Sequence, residues 1–211
     1  MIEAVIWDFG GVITSSPFEA FARFEAEHGL PKDIIRRTNT VNHLENAWAK
    51  FERAEIGIET FDELFASESH ALGAEVRGRD VVALLSGDLR PEMIEALRRV
   101  KASFRTGCIT NNLPANAMGS KGGRSLYIAE VMTLFDHIIE SAKIGLRKPD
   151  PRIYQMMVEA LGVDPKRCVY LDDLGVNLKP AREMGMTTIK VLGSSQAIPE
   201  LEAATGLSLR D

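Results

Sequence analysis

The residues of this chain that could do chemistry together lie far apart in it. Asp8 follows a short apolar run, Thr110-Asn111-Asn112 follows a second, Lys148 stands between Arg147 and Pro149, and Asp172-Asp173 closes a third apolar run. Each polar group ends a strand-like stretch, and in parallel sheets the ligand crevice lies outside the carboxyl ends of the strands. If these strands are neighbours, Asp8, Thr110, Asn111, Asp172 and Asp173 share one edge. Carboxylates converging there repel by roughly 4 kcal/mol for a pair about 4 Å apart at an effective dielectric near 20, so the cluster persists around a cation. Ligands that are all oxygen call for a hard ion, and Mg²⁺ keeping waters and a phosphate fits best. Lys148 brings the opposite charge. Pro149 keeps it out of helix, which predicts an extended lysine just before a helix start. A fixed ammonium there can neutralise both a carboxylate nucleophile and the phosphoryl oxygens it attacks.

The elements that must position these groups read as follows. Within residues 4–14 a short apolar run reads as a buried strand that delivers Asp8 and is followed by Gly10 and Gly11, whose missing side chains let the backbone turn sharply against a small ligand. Pro17 opens a helix with Phe18, Phe21, Ala22 and Phe24 on one face, closed by His28-Gly29. Helical stretches follow over 32–37, 43–54 and 60–72, the last with Thr60 and Glu63 at capping-box spacing. No strand-like run interrupts them, so residues 15–86 read as an all-helical insert in a core made of 1–14 and 87–211.

From Pro91 the chain alternates: helix 91–101, strand 104–110, strand 136–140, helix 150–161, strand 168–171, helix 178–184, strand 187–191 and a polar helical C-terminal segment. This order predicts an α/β fold, a doubly wound, Rossmann-like parallel sheet with helices on both faces. Residues 115–125, carrying Gly119, Gly122 and Gly123, read as a mobile surface loop beside the Thr110 strand end.

A net charge of −5 without any Lys/Arg cluster argues against a general nucleic-acid or anionic-membrane binder, since both need a basic surface. No apolar run approaches a membrane span, and the first strand leaves no room for a signal peptide, which predicts a cytoplasmic protein. Cys108 and Cys168 lie inside strand-like runs and are expected to be buried as small hydrophobes. His28, His43, His70 and His137 are scattered, without zinc or Ser/His spacing. Monomer and homodimer both stay open.

Taken together, Asp8, Thr110, Lys148 and Asp172-Asp173 resemble, in order and interval, the motifs of the haloacid dehalogenase-like hydrolases. The stretches 135–141, 148–154 and 171–182 look like the branch containing the N-terminal phosphatase domain of soluble epoxide hydrolase. The resemblance implies Asp8 as the nucleophile that forms an aspartyl-phosphate. It implies Thr110 and the Asn111 backbone on the phosphoryl oxygens, with Lys148 neutralising charge. Asp173, helped by Asp172 or Asn177, would hold Mg²⁺ together with Asp8, and Asn112 and Asn177 would lie beside the substrate or behind the ligands. The substrate is then a small phosphorylated molecule.

One position departs from that pattern. Phosphatases of the family usually carry a second Asp two residues after the nucleophile, as general acid and base, and here Gly10 stands there. Its carbonyl could still ligate Mg²⁺, but a side-chain acid worth about 10²–10⁴-fold in rate is gone. Two other readings accompany phosphatase: a dehalogenase on the same scaffold, with Asp8 attacking carbon and no metal, and a weakened module that binds a phosphorylated ligand without turning it over.

Overall fold

The computed structural model describes residues 1–113 and 122–210, with the side chains of 122–125 left aside. Five parallel strands, β1 (Ala4–Trp7), β2 (Arg105–Thr110), β3 (His137–Glu140), β4 (Cys168–Asp172) and β5 (Thr187–Lys190), lie in the order β3-β2-β1-β4-β5. β1 is therefore central, with β2 on one side and β4 on the other. Trp7 is level with Cys108 and with Leu171, so the polar residues that follow these strands emerge at one edge. The Asp8 N–H continues the ladder, donating to the Leu171 carbonyl at 2.8 Å.

The helices run α1 (Phe18–Glu27), α2 (Ile34–Thr40), α3 (Ala47–Glu52), α4 (Ile58–His70), α5 (Gly78–Ala83), α6 (Pro91–Lys101), α7 (Gly122–Met132), α8 (Ser141–Ile144), α9 (Pro151–Leu161), α10 (Gly175–Glu183) and α11 (Ser194–Thr205). Successive strand residues point to opposite faces. Val5, Trp7, Cys108, Val169 and Leu171 pack with α6 and α11, whereas Ala4, Ile6, Ile109, Cys168 and Tyr170 pack with α9 and α10. Covering both faces explains why these strands read as continuous apolar runs instead of alternating ones. The doubly wound sheet is as expected, and both cysteines are buried and free.

Helices α1 to α5 form an insert with a core of its own, built on Phe21, Ile34, Ile35, Phe51, Phe61 and Phe65. Leu113, from beyond β2, packs into it. The chain leaves and returns side by side: Ser15 N–H donates to the Asp88 carbonyl at 2.7 Å, Arg90 N–H to that of Ile13 at 2.9 Å, and Thr14 bridges Leu89.

Several local expectations are corrected. Ala22 is exposed, and Glu25 is buried in its place, because its carboxylate accepts the Asp33 and Ile35 N–H groups at 2.8 and 3.0 Å. The predicted helix over 43–54 shrinks to α3, with Asn46 as its N-cap accepting the Ala49 N–H. Helix α4 starts after Gly57, so Thr60 is interior and the capping box does not form. Of the loop expected over 115–125, residues 115–121 lie outside the described residues, and from Gly122 the backbone is α7. No helix among the described residues is long and apolar enough to cross a membrane.

Candidate active site

Asp8 leaves the central strand 7% exposed, and its Oδ1 accepts both the Phe9 N–H at 2.7 Å and the Lys148 ammonium at 2.8 Å. The same ammonium, 1% exposed, reaches Asp172 Oδ2 at 2.8 Å. Lys148 thus joins the ends of β1 and β4 from a third direction. It lies in a turn with a cis bond to Pro149, and α9 follows with Asp150 as its N-cap. Burial opposes the ammonium, but Asp172 and Asp8 outweigh it and raise its pKa above that of an ordinary lysine.

Asp172 is fully buried and its oxygens are committed to donors. Besides Lys148 it accepts the Tyr170 hydroxyl at 2.6 Å, the Leu174 N–H at 2.8 Å and the Asn177 amide at 3.0 and 3.1 Å. Asn177 is secured in turn, its carbonyl accepting the Tyr154 hydroxyl at 2.7 Å. In this geometry Asp172 and Asn177 hold Lys148.

Asp173 differs from its neighbour. It is partly exposed and accepts the Ser16 hydroxyl at 3.2 Å. Its carboxylate fills the space in front of Gly11, where φ is +76° and an added Cβ would lie 2.3 Å from Oδ2. Any side chain there is strained by the positive φ and crowds Asp173. Arg90 fixes the turn by donating to the Gly11 carbonyl at 2.9 Å. Gly10 has no such restriction: an added Cβ would meet nothing within 4 Å, φ is not positive, and no described donor reaches its carbonyl.

Asp8, Asp172 and Asp173 each offer an oxygen within 4.8 Å of the others. One ammonium against three carboxylates leaves an excess of negative charge that suits a divalent cation, and the all-oxygen donor set suits Mg²⁺. Burial, reinforced by the neighbouring carboxylates, raises the Asp8 carboxyl well above its usual range and pushes Asp173 up to about 6.

Thr110 ends β2 beside this cluster, half-buried, and its hydroxyl takes no hydrogen bond from or to a described residue. The side chain of Asn111 turns to Lys148, accepting its N–H at 2.8 Å and donating to its carbonyl at 3.1 Å. Asn112 turns the other way, toward β3, donating to Glu140 at 2.9 Å and accepting the Ala142 N–H at 3.2 Å. Its amide ties the strand ends together instead of facing the acidic edge. Sequence reading missed Tyr170, Ser16, Arg90 and Glu52. Tyr170 alone carried a signal, standing two residues before Asp172 and so on the same face of the strand.

A parallel α/β sheet with an acid, a hydroxyl, a lysine and an acidic pair at one edge is an enzyme architecture with its polar site at the strand ends. The chain belongs to the haloacid dehalogenase-like hydrolases, whose family model matches residues 2–185. It is 30% identical to bifunctional epoxide hydrolase 2 of Sus scrofa over 99% of this chain and 40% of that protein. It is 31% identical to phosphatase MT3486 of Mycobacterium tuberculosis (strain CDC 1551 / Oshkosh) over 92% of this chain and 89% of that one. The chain therefore spans well under half of the epoxide hydrolase. In fold it is similar to the HAD family enzyme BT-2542 of Bacteroides thetaiotaomicron, solved with magnesium and inorganic phosphate, at TM-score 0.62, 18% identity and coverage of 95% and 99% of the two chains. It is also similar to the L-2-haloacid dehalogenase of Xanthobacter autotrophicus, at TM-score 0.60, 20% identity and coverage of 98% and 84%.

The raised Asp173 carboxyl has a consequence for stability. Between its ordinary value of 3.8 and about 6 the folded chain binds more protons than the unfolded one, so this group's contribution falls as pH rises through that window. In chelator, Asp173→Asn should gain thermal stability relative to the parent between about pH 4 and about pH 7, with little difference at the acid end. Parallel melting curves across that range would show that Asp173 is not under electrostatic strain.

Proposed function

We propose that this chain is a Mg²⁺-dependent phosphoric monoester hydrolase acting on a small phosphorylated molecule through an aspartyl-phosphate on Asp8. The observation that carries this reading is the trio of carboxylates within 4.8 Å, with the buried Lys148 ammonium shared between Asp8 and Asp172. Kinship with a protein named as a phosphatase, and the fold shared with a magnesium and phosphate complex, support it.

Asp8 Oδ1 is held by Lys148 and by the Phe9 N–H, which leaves Oδ2 to attack phosphorus. The phosphorus–oxygen bond to the alcohol breaks and the departing oxygen takes a proton from solvent; water then attacks phosphorus, breaks its bond to Asp8 Oδ2, releases inorganic phosphate and restores the carboxylate. Lys148 stays protonated throughout and offsets charge on Asp8 and on the transferring group. Thr110 Oγ1 and the Asn111 backbone hold phosphoryl oxygens. Asp8, Asp173 and the Gly10 carbonyl would hold Mg²⁺, which when bound draws charge from the phosphoryl group and brings it to the nucleophile. The helical insert serves as the cap over this edge. A dehalogenase needs no cation and would leave Asp173 crowded against two carboxylates without compensation, and a pure binding module would not need the free Oδ2 of Asp8.

Phosphate release from a panel of phosphoesters, with and without Mg²⁺, tests the reading. Turnover should require the ion, and Asp8→Asn should abolish it while leaving the melting temperature within a few degrees, since the amide is nearly isosteric but not nucleophilic. An Asp8→Asn protein with wild-type turnover would remove the covalent mechanism.

Gly10 sharpens the test. Without a side-chain acid, aryl phosphates, whose leaving groups need little protonation, should be cleaved far faster than alkyl phosphates of similar size. The open space and unrestricted φ at Gly10 let the backbone carry aspartate, so Gly10→Asp should fold and raise the alkyl rate by about tenfold or more. A folded variant with an unchanged aryl-to-alkyl ratio would mean that another group already delivers the proton.

A further inference from the structure

Glu52 is the last residue of α3, in the helical insert, yet it is 6% exposed and touches the core beside Lys148. Its Oε1 accepts the Trp48 indole N–H at 2.8 Å, and its Oε2 accepts the Asn111 amide at 3.1 Å and the Arg147 Nε at 2.6 Å. Every partner is a donor, and the two carboxylate oxygens accept all three. The Asn111 amide also grips the Lys148 backbone, accepting its N–H at 2.8 Å and donating to its carbonyl at 3.1 Å. Turned over, that amide would set its oxygen against the Lys148 carbonyl and the Glu52 carboxylate together. Glu52 therefore locks the one amide orientation that holds the Lys148 main chain, and the same oxygen anchors Arg147 next door. From that main chain the ammonium reaches Asp8 and Asp172 at 2.8 Å each.

We propose that Glu52 is a positioning residue for Lys148. The insert, through the end of α3, fixes the backbone from which the ammonium reaches Asp8, so the lysine is set when the insert is seated on the core. The kinetic consequence rests on the phosphatase reading, whereas the structural one does not. Simple anchoring of the insert is separable, because the Glu52 backbone carbonyl is held independently by the buried Ser141 hydroxyl at 2.7 Å.

The test compares the parent chain, Glu52→Gln and Ser141→Ala by residue-resolved amide exchange, together with steady-state hydrolysis of an aryl phosphate in Mg²⁺. Glutamine keeps the size of Glu52 but must turn its NH₂ toward at least one donor. In Glu52→Gln the Lys148 amide should exchange about tenfold faster or more while Val169 in β4 is unchanged. Its kcat should fall about tenfold or more with KM within about threefold. Ser141→Ala should lower thermal stability and change neither. Unchanged Lys148 exchange in Glu52→Gln overturns the proposal whatever kcat does, and faster exchange with unchanged kcat overturns its catalytic part. If the parent cleaves no phosphoester, the phosphatase reading fails and the exchange comparison alone decides whether Glu52 sets Lys148.

Discussion

The acidic edge of this protein depends on one buried cation. Lys148, 1% exposed, is shared between Asp8 and Asp172 at 2.8 Å to each. A lone ammonium at that depth would lose its proton; Asp172 and Asp8 together offset its loss of water and keep it charged. The remaining lone pairs of Asp172 are taken by Tyr170, Asn177 and the Leu174 N–H, the condition under which a buried ion pair is tolerated. The rest of the site is arranged around that clasp. Asp173, outside it, is left under repulsion and open to a cation.

The topology makes the clasp possible. Because β1 lies between β2 and β4, Asp8 and Asp172 end adjacent strands, and the turn after Asp8 must pass in front of Asp173 without a side chain. That is why a side chain at Gly11 is strained and crowds Asp173, whereas Gly10, one residue earlier, is free to vary. On the phosphatase reading proposed above, the described residues keep the groups that hold charge, while Gly10 stands where a side-chain acid would be. A site of this kind separates electrostatic preorganisation from general acid catalysis, two contributions that usually act together.

Much of this was legible in the sequence because the strands are buried on both faces and each ends in a polar residue. The apolar runs before Asp8, Thr110 and Asp172 marked the sheet, and their order marked the shared edge. What escaped were interactions with no local period. Glu52 and Asn111 pair across 59 positions, and nothing around Glu52 distinguishes it from a solvated glutamate. Glu25 was hidden for the same reason, an acid on an amphipathic helix whose burial makes sense only once the Asp33 and Ile35 N–H groups are seen beside it. Asn112 is expected beside the substrate or behind the ligands, but successive residues past a strand end face different ways, and its amide turns to β3. Thr60 and Glu63 had the spacing of a cap without the position of one, since the helix begins at Ile58.

The claim that Lys148 organises this edge is tested most directly by equilibrium urea unfolding of Lys148→Met, Asp172→Asn and the double variant. The account predicts that Lys148→Met alone costs about 3–5 kcal/mol, because it strands two buried carboxylates, and that adding Asp172→Asn recovers part of that loss. A Lys148→Met protein as stable as its parent, or two losses that simply add, would contradict it.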